Sequence, residues 1–438
     1  MWYTVNCILL DYTDESLLFG VVFMREKLKS LTAVFYTPVL IYFVFFVAIS
    51  LIAIASATPL AHVQYTGNFV VRQIAFFGGG IVVVFLVLFF ELKRMRFLRW
   101  ILYFFFFGLL LIIFFIGVID PCQREGLIPC INGATRWIDL GFTNLQPSEF
   151  MRIAIILVVA HIIQKHNEKF SLDARTFKSD FWLIIKALLV IIAPAVLIYQ
   201  QPDTGITILI LVTVAFMLIT AGIKWTYILV VLGGAIFVAS TFLTLVRYNP
   251  DALINTGFIE QYQIRRFDGW FDPFGTISGD GRHLAQGLMG MASGGIFGNG
   301  FQSHTEFFPE AHTDFIFAVI GMDFGMVGST IVITISLLFN FSILNIAVLN
   351  RDHYNSHVCV GIFASLMTQQ FWNIGMILGI LPITGVTLPF ISHGGSSVLA
   401  SMIMLGLILS SHVEGLSIKR NTTVYREGII YFEEKANM

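Results

Sequence analysis

The sequence predicts an all-α polytopic membrane protein of about ten transmembrane helices, with a large extracytoplasmic loop between helices seven and eight. Three observations carry this. Only 12% of the 438 residues are charged, against roughly 25% in soluble globular proteins. Hydrophobic residues make up 57%, and 44 residues are Phe. The apolar residues gather into runs near the length of about 20 that crosses a bilayer core. A formal net charge of −1 leaves no basic footprint for a nucleic acid.

Residues 1–33 are expected to form a cytoplasmic N-terminal segment. Asp11, Asp14 and Glu15 break any span within the first 23 residues, and the basic start and cleavage site of a signal peptide are missing. Met24, followed by Arg25, Glu26 and Lys27, has the character of a start before a first membrane helix. Residues 1–23 therefore read as an upstream extension or a loose interfacial segment. The spans are expected near 34–56, 74–91, 99–118, 148–163, 182–199, 205–222, 225–246, 314–348, 358–380 and 394–413. Together, 34–413 form one membrane domain, and 414–438 a cytoplasmic tail. The eighth span is long enough to contain a tilt or an extension.

Orientation follows from the basic residues of the short loops. Arg25, Lys27 and Lys29 precede the first span, and Lys93, Arg94, Arg96 and Arg99 separate the second from the third. Lys165, Lys169, Arg175 and Lys178 follow the fourth, Lys224 the sixth, Arg351 the eighth, and Lys419 and Arg420 the tenth. With ten spans all these loops share one side, the cytoplasm, and both termini lie there. The loops 119–147, 200–205, 247–313 and 381–393 face outward. Cys122 and Cys130 fall on that outer side; a disulfide and two unpaired thiols both fit the spacing. The cysteines form no metal-ligand pattern.

Polar residues gather on the outer side in three places. Arg136 and Trp137 precede Gln146-Pro147, the expected start of the fourth span, with Glu149 and Arg152 in its first turns. A helix start and two guanidinium groups suit a phosphate or pyrophosphate; equally, Arg152 can pair with Glu149 and Trp137 can anchor at the interface. Asp203 opens the sixth span, where a carboxylate caps a helix. Glu306, Glu310, His312 and Asp314 crowd into nine residues before the eighth span. Asp314 can cap that helix, or act as a base toward an attacking hydroxyl. His312 can tune it, bind substrate, or be a polar loop residue. Asp323, nine residues on, is a second buried acid expected to need a structural partner. The Gly-rich stretch 283–300 suggests a surface-lying or re-entrant segment broken at Gly294 and Gly295. Gln369 and Asn373, four apart on the ninth span, suit helix–helix contacts.

In this order the motifs RWIDLG (136–141) with QPSE (146–149), QPDTG (201–205), PEAHTDFIFAVIG (309–321), NIGM (373–376) and LPITGVTLPFISHGGSS (381–397) resemble the SEDS family, the FtsW/RodA/SpoVE type, over about residues 30–415. The resemblance implies a peptidoglycan glycosyltransferase of the bacterial cytoplasmic membrane. It would polymerise lipid II at the outer face by inverting β-1,4 transfer, in elongation and shape, division or sporulation. A class B penicillin-binding protein, a transpeptidase, would be its partner. Asp314 matches the family's essential aspartate, and Trp137, Gln146, Glu149 and Arg152 match its functional positions; Arg136 and His312 join them as substrate-binding candidates. No cofactor is fixed by the sequence, although a divalent cation (Mg or Mn) could share the leaving-group charge. The chain departs from the family pattern at Met322, where an acid is usual, at His393, where Tyr is usual, and at Arg152, where Lys is common. A lipid II flippase and an inactive scaffold that recruits the transpeptidase are the rival readings.

Overall fold

The computed structural model describes residues 36–60, 68–119, 126–130, 133–141, 143–170, 175–255, 261–279, 281–303 and 310–436. The expected extension 1–23 and Cys122 lie outside the described residues. Cys130 is disulfide-bonded, and its partner lies outside them too.

In hydrocarbon a backbone must satisfy its own hydrogen bonds, and every predicted span falls on a helix. The first is α1 (Thr37–Ala57). Phe69–Ile119 holds two apolar helices, α2 (Phe69–Phe90) and α3 (Arg96–Ile119). The chain reverses between them: Phe69 packs on His312 and Gly117 on Thr135 at one end of the molecule, while Arg96 pairs with Asp352 at the other. A two-stranded antiparallel ribbon, β1 (Ile138–Asp139) with β2 (Asn144–Leu145), pairs Ile138 with Leu145. There follow α4 (Pro147–Lys169), α5 (Phe177–Gln200), α6 (Thr204–Thr220) and α7 (Trp225–Tyr248). The expected loop 247–313 is itself helical in three places, α8 (Pro250–Ile254), α9 (Gln261–Phe271) and α10 (Arg282–Ser293). The chain ends with α11 (Ile316–Leu349), α12 (His353–Ile377) and α13 (Gly395–Ala436).

Among the described residues, eight helices are long and apolar enough to cross a membrane. Two predicted spans are of another kind. Helix α6 is apolar but has 17 residues, and α12 carries buried Asn355, Gln369, Gln370 and Asn373. Burial orders the bundle: 83% of the apolar window of α4 is enclosed by protein and none of α7. Helix α4 is thus the centre, flanked by α12, α6 and α3, and α7 stands on the periphery.

The predicted length of the eighth span is explained by a break. Gly325 in α11 has φ 64° and ψ −156°, a conformation that favours glycine. The interruption frees polar backbone groups, and the chain after α10 supplies their partners. Asn299 N donates to Met322 O at 3.0 Å, Gly300 N to Asp323 O at 3.0 Å, Met326 N to Gly295 O at 3.0 Å and Val327 N to Ile296 O at 3.1 Å. The expected break at Gly294 and Gly295 is where this segment turns into the bundle. Asp323, 1% exposed, accepts a hydrogen bond from Ser56, the structural partner its burial demands. At Gly298 (φ 85°) a Cβ would collide with the Asp323 carbonyl. Gly298→Ala should therefore destabilise the protein by about 1–3 kcal/mol, read as a lower melting temperature of the purified protein. Gly279→Ala, where a Cβ would meet only Thr276 O at 3.9 Å, should change stability by no more than about 0.5 kcal/mol.

Candidate active site

Three helix starts converge at one end of the bundle. Gln146 precedes α4, Asp203 caps α6 through Ile206 N, and Gly395-Ser396-Ser397 opens α13. Such ends carry positive partial charge. The tight approach is allowed by glycine: a side chain at Gly205 would collide with Val386, and one at Gly395 with Thr143. Between these ends lies a cavity of about 390 Å³. Its wall includes Arg72, Arg136, Trp137, Gln146, Glu149, Asp203, Glu310, His312, Asp314 and His393.

One side of the cavity is a hydrogen-bonded network. Gln146 Nε2 donates to Asp203 Oδ2 at 2.6 Å, and Ser148 Oγ donates to the same oxygen at 3.1 Å. Arg136 stands 3.5 Å from the other Asp203 oxygen and lies over the Trp137 ring at 4.3 Å. Gln146 N donates to Ser396 Oγ, which donates in turn to Asn144 O. This ties the ribbon, α4, α6 and α13 together.

The opposite side carries Asp314. It lies two residues ahead of α11, in a turn closed by Thr313 and Phe315 amides donating to Glu310 O, both at 3.1 Å. Its backbone carbonyl accepts from Asn373 Nδ2 at 2.8 Å. Its carboxylate faces the cavity and accepts no hydrogen bond from a described residue. Gly385, with φ 73°, passes so close that a Cβ there would lie 3.3 Å from Asp314 Oδ2. Burial, then the Glu310 carboxylate, pushes the Asp314 carboxyl up to about 7 against the pull of Arg136. Glu310 is itself held by Thr313 Oγ1 at 2.8 Å. His312 and His393 form the rear wall, their ring centroids 5.8 Å apart, with the Phe69 ring tilted against His312 and edge-on to His393. Burial lowers both imidazoles, His393 to about 3, so they are neutral polar groups at pH 7.

The structure thus brings Arg136, Trp137, Gln146, Glu149, His312 and Asp314 to one cavity. Arg152 is placed differently. It is 1% exposed, donates to Glu149 Oε2 and Gln369 Oε1, both at 2.8 Å, and is not on the cavity wall. The cation that sequence reasoning missed is Arg72. Expected just ahead of the second span, it lies in the first turn of α2 on the cavity wall; a charge beside an apolar run was its signal. Gln73 was also missed: it links His393 Nδ1 to Ser50 Oγ. Among the described residues no three His, Cys, Asp or Glu side chains are placed to hold a metal ion.

Fold and cavity define a polytopic membrane protein with a carboxylate and guanidinium groups facing a common, anion-ready space. The model of the Cell cycle protein family, FtsW/RodA/SpoVE, matches residues 36–415, and the chain belongs to this family. It is 34% identical over 284 residues to the peptidoglycan glycosyltransferase MrdB of Escherichia coli K12, covering 64% of this chain and 71% of that one. It is 30% identical over 345 residues to the stage V sporulation protein E of Bacillus subtilis, covering 78% and 86%. Among solved structures, a chain of a peptidoglycan synthase complex that coordinates polymerization and crosslinking superposes with a TM-score of 0.68 at 25% identity, over 85% of this chain and 96% of that one. The rod shape determining protein RodA of Thermus thermophilus shares the fold, with a TM-score of 0.59 at 23% identity over 86% and 96%.

Two measurements follow. Replacing Arg152 by Met leaves Glu149 buried without its cation and should cost about 3–5 kcal/mol of stability, seen as a large fall in melting temperature. For Asp314, the native carboxyl holds its proton up to about pH 7, whereas an unfolded one releases it near 3.9. Between these values the native state binds more protons, so the Asp314 contribution is intact below about pH 4 and is lost as pH rises through about 7. Asp314→Asn should therefore melt above wild type at pH 8 and match it near pH 4.

Proposed function

We infer that the protein is a peptidoglycan glycosyltransferase whose general base is Asp314. The observation that carries the base assignment is a cavity-facing carboxylate with no hydrogen-bond partner among the described residues and a proton affinity near neutrality. A base works best when its pKa lies near the working pH. The family membership and the glycosyltransferase relatives support the reaction class.

In the proposed cycle the 4-hydroxyl of a lipid II sugar attacks the anomeric carbon of the glycan held on undecaprenyl pyrophosphate. Asp314 removes the hydroxyl proton as the new C–O bond forms. The bond from the anomeric carbon to the pyrophosphate oxygen breaks, and the leaving group takes the electron pair, so the configuration inverts. Arg136 and Arg72 line the same cavity and stabilise the leaving charge together with the positive start of α13. Arg152 acts at one remove, by fixing Glu149 and Gln369. Trp137, Gln146 and His312 contribute binding surface.

The topology proposed for this cycle has ten spans, the cavity at the outer face of the bacterial cytoplasmic membrane, and both termini in the cytoplasm. The charge of the short loops supports it. A class B penicillin-binding protein is the proposed partner; the structural relative from a synthase complex supports this.

Purified protein with its partner and lipid II should make glycan strands, and Asp314→Asn should lower the rate by at least about 100-fold. Wild-type polymerisation by a folded Asp314→Asn protein would remove the base assignment. Arg136→Gln should slow polymerisation more than Arg136→Lys. A proteoliposome assay of lipid II movement should show no dependence on Asp314.

A further inference from the structure

The molecule has a second charged cavity, of about 900 Å³, between α3, α4 and α5. It lies at the far end of α4. Lys165 is 18 residues beyond Pro147, about 27 Å along a helix, close to one bilayer core from the site above. Its lining repeats with a period of four on two facing helices. His161, Lys165 and Lys169 descend α4, and Lys178, Trp182 and Lys186 descend α5. Residues four apart share a helix face, so the two stripes present their cations to the same space.

Among the described residues the charged lining is mostly cationic. Glu168 is, among the described residues, the one acid on the wall, and it accepts from Gln164. Asp180 is buried at the helix start, facing His166 and the Lys224 amide, and does not line the cavity. No ion pair of Lys165, Lys169, Lys178 or Lys186 with a described acid exists. Lys186 is the most telling of the four. It lies nine residues into α5, about 13 Å from the helix start, among apolar residues. A cation at that depth is costly unless it has a counter-charge or a function.

The surroundings select the ligand. Trp100 and Trp182 sit at the rim, 37% and 52% exposed, as aromatic residues do at headgroup level. Tyr103 Oη donates to Val190 O at 2.7 Å and ties α3 to α5. On the outer faces of the same helices, Ile101, Phe104, Phe181 and Leu189 are exposed, a surface for acyl chains. Basic pockets between membrane helices suit anionic headgroups, and the depth of Lys186 calls for a ligand that enters from the bilayer. We propose that this cavity binds the phosphate headgroup of an anionic phospholipid in the leaflet opposite the catalytic cavity, with Lys165 and Lys186 as its principal contacts.

The test uses the full chain in zwitterionic nanodiscs carrying a minor fraction of phosphatidylglycerol or diphosphatidylglycerol. Retained lipid is counted by native mass spectrometry. The wild type should keep anionic lipid selectively, Lys165→Gln/Lys186→Gln should keep about tenfold less, Lys186→Arg should match wild type, and Arg351→Gln, in another basic loop, should be unchanged. Polymerisation in detergent, equal for wild type and the double variant, shows that the variant is folded. Undiminished retention by the folded double variant, or equal retention of phosphatidylcholine, would overturn the proposal. Displacement of the lipid by millimolar inorganic phosphate would do the same, because the site would then serve a soluble anion.

Discussion

Asn373 donates both amide hydrogens to backbone: one to Asp314 O at 2.8 Å, the other to Val386 O at 2.7 Å. It is fully buried. Neither carbonyl belongs to a continuous helix, and in a low-dielectric interior each would be costly to leave bare. One side chain on α12 therefore fixes the turn that carries the base and the loop that walls it. Gln369, one turn earlier, does the same for Thr387 O while accepting from Arg152. The irregular backbone between α12 and α13 is held by side-chain amides where a helix would have used its own bonds. Ser392 completes the pattern, donating to Thr313 O and accepting from Leu388 N.

The two acids that face the cavity from opposite sides live in different environments. Asp203 accepts from Gln146 and Ser148, stands 3.5 Å from Arg136 and caps its own helix start. Asp314 has Glu310 nearby and no donor to its carboxylate among the described residues. The two surroundings assign different work to each: Asp203 holds Arg136 in place, and Asp314 is left open to the cavity.

Much of this was legible in the sequence. Apolar runs located the helices because hydrocarbon leaves the backbone no alternative, and short polar motifs located the site because each is a helix start or a turn. What escaped was long-range. In the sequence Arg152 fits either a phosphate-binding cation or the partner of Glu149; the structure shows the Glu149 pair, and nothing along the chain shows that Gln369, 217 residues away, completes its coordination. Arg72 looked like loop because its helix begins earlier than hydropathy suggests; a cation in the first turn of a span is tolerable when it opens onto a polar cavity. Gln369 joins α12 to α4 through Arg152, as expected of an amide on that span, but it also holds Thr387 O, and Asn373 holds the loop carbonyls of Asp314 and Val386, a choice that helical periodicity does not encode. The purpose of the Gly294–Gly300 stretch depended on a break at Gly325, which a composition of mostly apolar residues conceals.

That break has a mechanical consequence. The segment from Asp314 to Gly325 is a short lever, about 16 Å long at 1.5 Å per residue, joined to the rest of α11 at a glycine. A rotation of about 10° at this joint carries the carboxylate through about 3 Å, the difference between a hydrogen bond and none. The joint is clamped by four backbone bonds from residues 295–300, and those residues follow the amphipathic α10 at the molecule's surface. Residues 295–300 thus tie the segment after α10 to the backbone on both sides of the joint.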